Sequence, residues 1–257
     1  MALVILKDVA KVFSKNGRAY AALAGLSMEI GRGEFVCLVG PSGCGKTTAL
    51  NIIAGLVPPT EGSVEYDSRL VRGPNTRVSY MTQRDTLLPW RTVLGNVRLP
   101  LEVASRARGK GVPGPEQMLD LVGLTEFRKY YPHQLSGGMQ QRVAIARSLV
   151  FNPSLLLMDE PFGALDEITR QAMRYELLRL WEAHGRRTVL FVTHSVAEAV
   201  ALSDRVVVLS GRPGAVRADI DIELERPRSE EIEQSSAFRD YTDHLRGLLK
   251  EAANGTR

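Results

Sequence analysis

Apolar and polar positions alternate along the chain in two recurring patterns. Continuous apolar runs at 34–39, 155–158 and 188–192 are short and bounded by polar residues, which is typical of buried strands. Apolar residues at helical spacing predict helices over 48–56, 96–107, 115–122, 168–184 and 195–202. Further strands are predicted at 3–13, 20–30, 63–66, 77–81, 205–209 and 215–222. The chain is therefore predicted to alternate buried strands with amphipathic helices.

The polar turn at 14–17 joins the first two strands, and a basic loop at 106–115 separates two of the helices. Beyond Pro227 the sequence is charged, and four apolar residues predict a short amphipathic helix: Phe238, Tyr241, Leu245 and Leu248. No internal repeat is visible. One chain is therefore expected to supply one functional domain.

Composition and charge exclude several classes of protein. The 257 residues are 44% hydrophobic and 24% charged, and the net charge of +4 is scattered, so no nucleic-acid partner is expected. No apolar run approaches the roughly 20 residues that span a bilayer, and the segment 1–6 predicts a strand instead of a signal peptide. Cys37 and Cys44 fit neither a zinc site nor a disulfide framework and are expected to be free thiols.

A glycine-rich loop follows the strand at 34–39 and precedes the first helix. It matches the pattern G-x-x-x-x-G-K-[ST], and we call it the phosphate loop: Gly40, Pro41, Ser42, Gly43, Cys44, Gly45, Lys46, Thr47 and Thr48. Glycines at these positions let successive backbone amides surround phosphate groups. Lys46 supplies a positive charge there, and the Thr47 hydroxyl is expected to coordinate Mg²⁺. This segment predicts a nucleotide site.

The apolar run 155–158 ends in two acids, Asp159 and Glu160. Their carboxylates are expected at the C-terminal end of a buried strand, where α/β sheets bind ligands. In other P-loop NTPases an aspartate at this place holds Mg²⁺, which makes Asp159 a second metal-site residue.

A second anion-binding helix start is predicted at residues 135–142, which read LSGGMQQR. Ser136 can cap the helix, and the amides of Gly137 and Gly138 are unobstructed at its positive end. This segment resembles the signature motif of ABC-type ATPases, which grips the γ-phosphate of ATP bound to the opposite subunit. A capped helix with a flexible entry is the alternative interpretation.

The resemblance implies roles for further residues. Phe13 stands where the family places an aromatic that stacks on adenine, although a buried core phenylalanine is the alternative. Gln83 would reach the Mg²⁺ and the attacking water, Glu160 would be the general base, and His194 would contact the γ-phosphate. Asp166 lies in a segment similar to the D-loop, which crosses the dimer interface.

Two positions depart from the family's usual pattern. Thr82 precedes Gln83 where relatives more often have phenylalanine, and Gly163 begins the D-loop-like segment where many have serine. The first departure leaves the implied role of Gln83 intact, and the second removes any hydroxyl-mediated contact at that place.

The resemblance covers nearly all of residues 3–222. It implies an α/β fold of the P-loop NTPase class, in which an ABC-type core has an antiparallel β edge and an inserted α-helical subdomain. One nucleotide-binding domain would span 1–257, with its core at 1–83 and 151–222, the helical subdomain at about 84–150 and a C-terminal helical tail at 223–257.

The implied function is that of the ATP- and Mg²⁺-dependent subunit of an ABC importer, peripheral on the cytoplasmic face of the inner membrane. Two copies would enclose two ATP molecules and drive integral-membrane permease subunits. An external substrate-binding protein would deliver the solute to these subunits. Segments 87–90 and 159–166 resemble the importer ATPases for nitrate, sulfonates and taurine. Related importers for thiamine precursors share much of this pattern.

Other classes stay open. A soluble ABC ATPase that acts as a clamp or switch would carry long coiled coils or two cassettes, and neither is visible. A P-loop kinase would have no use for the signature. Trp90, at the end of the apolar cluster 87–90, is expected either to anchor the permease or to fill the core of the helical subdomain.

Overall fold

The computed structural model describes residues 1–15, 17–83, 87–103, 113–183 and 187–254. The chain divides into two compact units, Met1–Asn75 with Gly185–Arg257, and Thr76–His184. We call them the first and the second unit.

The strands, in chain order, are β1 (Ala2–Lys15), β2 (Arg18–Gly31), β3 (Phe35–Val39), β4 (Glu61–Tyr66), β5 (Arg69–Leu70), β6 (Val78–Met81), β7 (Leu155–Asp159), β8 (Thr188–Val192), β9 (Arg205–Leu209) and β10 (Val216–Asp221). The helices are α1 (Lys46–Ile53), α2 (Val93–Val103), α3 (Pro115–Leu121), α4 (Gly137–Leu149), α5 (Glu167–Ala183), α6 (Val196–Leu202) and α7 (Ser236–Asn254). Short 3-10 turns lie at Thr125–Phe127, Pro132–Gln134 and Glu230–Gln234.

The first unit contains an antiparallel sheet with the strand order β2-β1-β4-β5. It is the antiparallel β edge that the sequence predicts. Residues 25–30 of β2 alternate between buried and exposed, because one face of this sheet covers apolar side chains and the other does not.

The same unit contains parallel strands in the order β9-β3-β8, with β10 antiparallel to β9 at one side. All residues of β3 and β8 are buried, which explains why their sequences are continuous apolar runs. Leu38 of β3 lies opposite Val192 of β8. The phosphate loop and the segment around His194 therefore leave the sheet at neighbouring positions.

The second unit pairs β6 with β7 in parallel, and Met81 lies opposite Met158. Gln83 consequently follows the end of β6, while Asp159 ends the neighbouring β7 and Glu160 follows it. Helices α2, α3, α4 and α5 pack against one another in this unit. They include the helices that the sequence predicts between 84 and 150.

Most predicted elements are found, and the ends of several of them are shifted. The helix predicted at 96–107 is α2, which begins three residues earlier. Residues 104–112, which include most of the basic loop 106–115, lie outside the described residues. The tail helix predicted as short is α7, with 19 residues. Among the described residues, no helix has the length and apolar character needed to cross a bilayer.

Candidate functional site

The phosphate loop has a backbone that its glycines make possible. Gly43 and Gly45 have φ values of 76° and 96°, in the left-handed region that glycine adopts without strain. A Cβ atom at Gly45 would lie 2.6 Å from the carbonyl oxygen of Ala22, so the loop also needs glycine there to approach β2. Gly45 is the N-cap of α1, and the loop leads directly into the positive end of that helix.

Lys46 is folded back onto the phosphate loop. Its Nζ donates to the carbonyl oxygens of Gly40 at 2.8 Å and Pro41 at 3.1 Å, and the residue is only 8% exposed. Thr47 and Ser42 are exposed beside it. The loop thus presents hydroxyl groups to solvent while its cation bonds to its own backbone.

Cys44 is 1% exposed, and its Sγ lies 3.8 Å from Lys46 Nζ. A Cβ atom at Gly40 would be 2.7 Å from this Sγ, so Gly40 makes room for the thiol. Burial raises the pKa of the Cys44 thiol, and the Lys46 charge opposes this shift in part. The thiol therefore faces the interior of the loop and is not a group that solvent reaches freely.

Phe13, the predicted adenine residue, is partly exposed near the end of β1 and is not a core side chain. Its ring stacks on the exposed ring of Tyr20, with centroids 5.6 Å apart and planes at 26°. Lys11 Nζ lies 5.1 Å from the centroid of Phe13. An aromatic surface of two rings therefore stands where the sequence predicts one.

His194 is exposed directly after β8. Buried groups fix the backbone on both sides of it, because the Thr193 hydroxyl donates to Glu198 and accepts from Ser195 N at 3.0 Å. Ser195 also caps α6 by accepting from Glu198 N at 3.4 Å. The imidazole is thus presented to solvent by a fixed turn.

The two acids of the second unit have different surroundings. Asp159 is buried at the end of β7, whereas Glu160 is partly exposed and has a φ of 46°. Gln83 Nε2 donates to Glu160 Oε2 at 3.1 Å, and Gly163 N donates to the Glu160 carbonyl oxygen at 3.0 Å. A left-handed backbone at a glutamate is strained, and such strain concentrates at functional sites.

The signature segment begins α4 as predicted, with Ser136 as N-cap: its Oγ accepts from Met139 N at 3.3 Å. A Cβ atom at Gly138 would be 2.9 Å from Thr169 Cγ2, so the glycine allows α4 to approach the start of α5. Gln141 Nε2 donates to the carbonyl oxygen of Pro161, the residue after Glu160, at 2.5 Å. The signature helix is therefore bonded to the turn that follows the acid pair.

Asp166 caps α5 in this structure. Its Oδ1 accepts from Thr169 N at 3.0 Å, and this bond holds the pKa of the Asp166 carboxyl below its usual value. The side chain of Arg170 holds the preceding turn, donating to the carbonyl oxygens of Leu165 at 2.7 Å and Phe162 at 3.3 Å.

Each unit contains some of the site residues that the sequence predicts. In the first unit these are the phosphate loop, Phe13 and His194, and in the second unit Gln83, Glu160 and the signature start. No motif in the sequence points to Arg212, whose Nε donates to the Gly43 carbonyl oxygen at 3.3 Å. A weaker signal is present, because the segment GRPG at 211–214 is a tight turn with a cation between two predicted strands.

Comparison with known proteins agrees with these features. The family model described as ABC transporter matches residues 23–163. The taurine import ATP-binding protein of Rhizobium johnstonii is 42% identical, covering 94% of this chain and 95% of that protein. The nitrate import ATP-binding protein of Synechocystis sp. is also 42% identical, covering 95% and 94%.

Solved structures agree as well. A dimeric ATP-binding cassette in a post-hydrolysis state, bound to ADP and Pi, is 35% identical with a TM-score of 0.74, covering 86% of this chain and all of that one. The predicted fold class is thereby confirmed. The chain belongs to the ABC transporter family, as one of its ATP-binding and ATP-hydrolysing subunits.

Proposed function

We propose that Glu160 is the general base of ATP hydrolysis in this chain. The observation that carries the proposal is the conformation of Glu160, which holds its carboxylate in a strained backbone beside the Gln83 amide. A carboxylate held by a neutral amide and a fixed turn can orient water and accept its proton. Gln83 and His194 would help to place the water and the γ-phosphate.

The phosphate loop would hold the triphosphate, with Lys46 exchanging its bonds to Gly40 and Pro41 for bonds to phosphate oxygens. The sequence motifs assign Mg²⁺ binding to the Thr47 hydroxyl in the first unit, and to the Gln83 amide oxygen and the Asp159 carboxylate in the second. These donors are all oxygen atoms, which is the ligand chemistry that Mg²⁺ prefers. Bound Mg²⁺ supplies charge neutralisation during phosphoryl transfer.

A dimer of this chain would complete the nucleotide site. The N-terminus of α4 is capped by Ser136 and carries Gly137 and Gly138 without side chains, so it suits an anion offered by another copy. The related cassette bound to ADP and Pi is described as dimeric. Asp166 and its turn would lie near the contact between the two copies.

The relatives support an importer, with taurine, nitrate or a sulfonate as the substrate class. The chain would act at the cytoplasmic face of the inner membrane through permease subunits, which in turn receive solute from a binding protein. In the helical subdomain at about 84–150, Trp90 is 71% exposed, so it suits an anchor for the permease and not a core position.

Replacing one carboxylate oxygen of Glu160 by an amide nitrogen tests the proposed mechanism. Glu160→Gln should keep ATP affinity but lower the hydrolysis rate at least about 100-fold, because general-base catalysis contributes on this scale. The measurements are steady-state phosphate release and equilibrium ATP binding by the purified chain. The ATP-bound dimer should accumulate and be visible by size-exclusion chromatography.

The matched control is Glu126→Gln, which makes the same chemical change at an exposed glutamate of the second unit. It should hydrolyse ATP like the unmodified chain. Unchanged hydrolysis by Glu160→Gln would overturn the assignment of the base.

A further inference from the structure

The turn at 211–214 lies directly against the phosphate loop and β2. Gly214 N donates to the Ala22 carbonyl oxygen at 3.0 Å, and Ala24 N donates to the Gly214 carbonyl oxygen at 2.9 Å. A Cβ atom at Gly214 would lie 1.9 Å from the carbonyl oxygen of Cys44. The turn is therefore in backbone contact with the loop, and the contact requires glycine.

Arg212, in the same turn, contacts the loop through its side chain. Its Nε donates to the Gly43 carbonyl oxygen, and its Nη2 is 3.0 Å from the place of a Cβ atom on Gly43. The guanidinium carbon lies 5.9 Å from the centroid of the Tyr20 ring, which itself stacks on Phe13. One side chain thus connects the phosphate loop with the aromatic surface of β1 and β2.

The charge of Arg212 has no anionic partner within the described part of the chain, and its side chain is exposed. The neighbouring cation, Lys46, already bonds to carbonyl oxygens of the loop. Arginine presents a planar fork of donors that matches phosphate oxygens and stacks on aromatic rings. A guanidinium in this position leaves donors available for an anion at the loop.

We propose that Arg212 is a further residue of the nucleotide site. It holds Gly43 from outside the loop, is oriented by the Tyr20 ring and offers its remaining donors to the phosphate groups of the nucleotide. The inference rests on the proposed ATP-binding function and extends it to a turn that lies outside every motif predicted from the sequence.

The test compares nucleotide binding by Arg212→Gln, Arg212→Lys and the unmodified chain. Arg212→Gln should raise the Kd for MgADP and MgATP about tenfold, the size expected for the loss of one charge-assisted hydrogen bond. Its effect on KM should exceed its effect on kcat, because the residue acts in binding. Lysine retains the charge without the fork, so Arg212→Lys should recover only part of the affinity.

Arg217→Gln is the matched control, because Arg217 is an exposed arginine of the neighbouring strand that pairs with Glu251. A Kd for Arg212→Gln equal to that of the control would overturn the inference. Full recovery of affinity by Arg212→Lys would overturn the role of the guanidinium fork. The proposed function fails separately, if the unmodified chain binds no nucleotide.

If Arg212→Gln lowers the melting temperature, Tyr20→Leu is the second variant, since it leaves the turn intact and removes the ring that lies beside the guanidinium and stacks on Phe13. It should raise the Kd severalfold at an unchanged melting temperature. An unchanged Kd for Tyr20→Leu would contradict the orienting role of the ring.

Discussion

At the scale of single residues, the phosphate loop protects its own cysteine. The Cys44 thiol is enclosed by the loop backbone and Lys46, and burial raises its pKa above the ordinary value of 9.0. Because its pKa is raised, the Cys44 thiol stays neutral to a higher pH in the folded chain than in the unfolded chain. Its contribution to stability is therefore complete below pH 9.0 and declines as the pH rises toward the raised pKa.

Maleimide labelling of Cys44 should consequently be slow at pH 7 and accelerate as the pH approaches and passes 9.0, because the thiolate is the reacting form. Fragment-ion mass spectrometry can follow each cysteine separately. MgATP should slow the labelling of Cys44 further, since the adduct and the phosphates would compete for the loop.

Cys37 is the internal control, because it is fully buried in β3 and burial also raises its pKa. It should label more slowly than Cys44 under every condition. Labelling of Cys44 at pH 7 as fast as that of a small free thiol would contradict the burial described above.

Single residues also show what the sequence could and could not predict. Motif spacing assigns Lys46, Glu160 and Ser136 to the candidate site, because each lies at a fixed offset within a strand–loop–helix or loop–helix segment. The left-handed backbone of Glu160 has no sequence signal, since glutamate rarely adopts it. The contact of Arg212 with Gly43 has no sequence signal of this kind, because it joins residues 169 positions apart.

At the scale of elements, two arginines hold the end of α6, the helix that follows His194. Arg228 is buried and donates to the carbonyl oxygens of Val200, Ala201 and Ser203 at 3.1, 3.3 and 2.7 Å. Arg226 donates to Leu202 O at 2.7 Å and pairs with Asp204. A cation at a helix C-terminus satisfies carbonyl groups that have no partner within the helix.

Arg228→Ala should lower the free energy of unfolding by at least about 2 kcal/mol, because it leaves several buried carbonyl groups without a donor. For a chain of this size the melting temperature should fall by roughly 4–8 °C, measured by differential scanning fluorimetry.

Arg217→Ala provides the comparison, since its exposed ion pair with Glu251 should contribute at most about 1 kcal/mol. Equal melting temperatures for the two variants would show that Arg228 does not hold α6.

Element boundaries show where pattern reading succeeds. The ranges of β8 and β9 were predicted to the residue, because their apolar runs are continuous and end at polar residues. The start of α2 was predicted three residues late. Thr92 precedes the helix and accepts from Gly95 N at 3.2 Å, so a threonine cap marks the true start. Apolar spacing alone does not locate such a cap.

At the scale of the whole molecule, Trp90 is the exposed residue that we propose as the permease anchor. It lies at the tip of a turn held by the fully buried Asn96, whose amide donates to the carbonyl oxygens of Leu88, Arg91 and Thr92, each at 3.1 Å. Asn96 Oδ1 also accepts from Leu88 N at 2.7 Å. The bonds of Asn96 therefore fix the backbone of the turn, while the Trp90 indole remains exposed.

Trp90→Ala should leave the melting temperature and ATP affinity of the isolated chain nearly unchanged, but weaken co-purification with the permease and reduce transport in membrane vesicles. The exposed position predicts this separation, because little buried area is lost within the chain.

Trp181, the other tryptophan, is 3% exposed and serves as the buried control for Trp90. Trp181→Ala should destabilise the isolated chain by about 3–5 kcal/mol. Unchanged permease association by Trp90→Ala would contradict the anchor.

The backbone of Glu160 has a consequence for how this chain responds to selection for stability. Glycine adopts a φ near 46° without strain, so at this position it should be tolerated by the fold better than the glutamate that is present. Selection for heat resistance alone would favour replacing the proposed base, and selection for turnover would restore it. With Glu160 as the proposed base, this position would favour activity at the expense of stability, the trade-off expected where the two are selected separately.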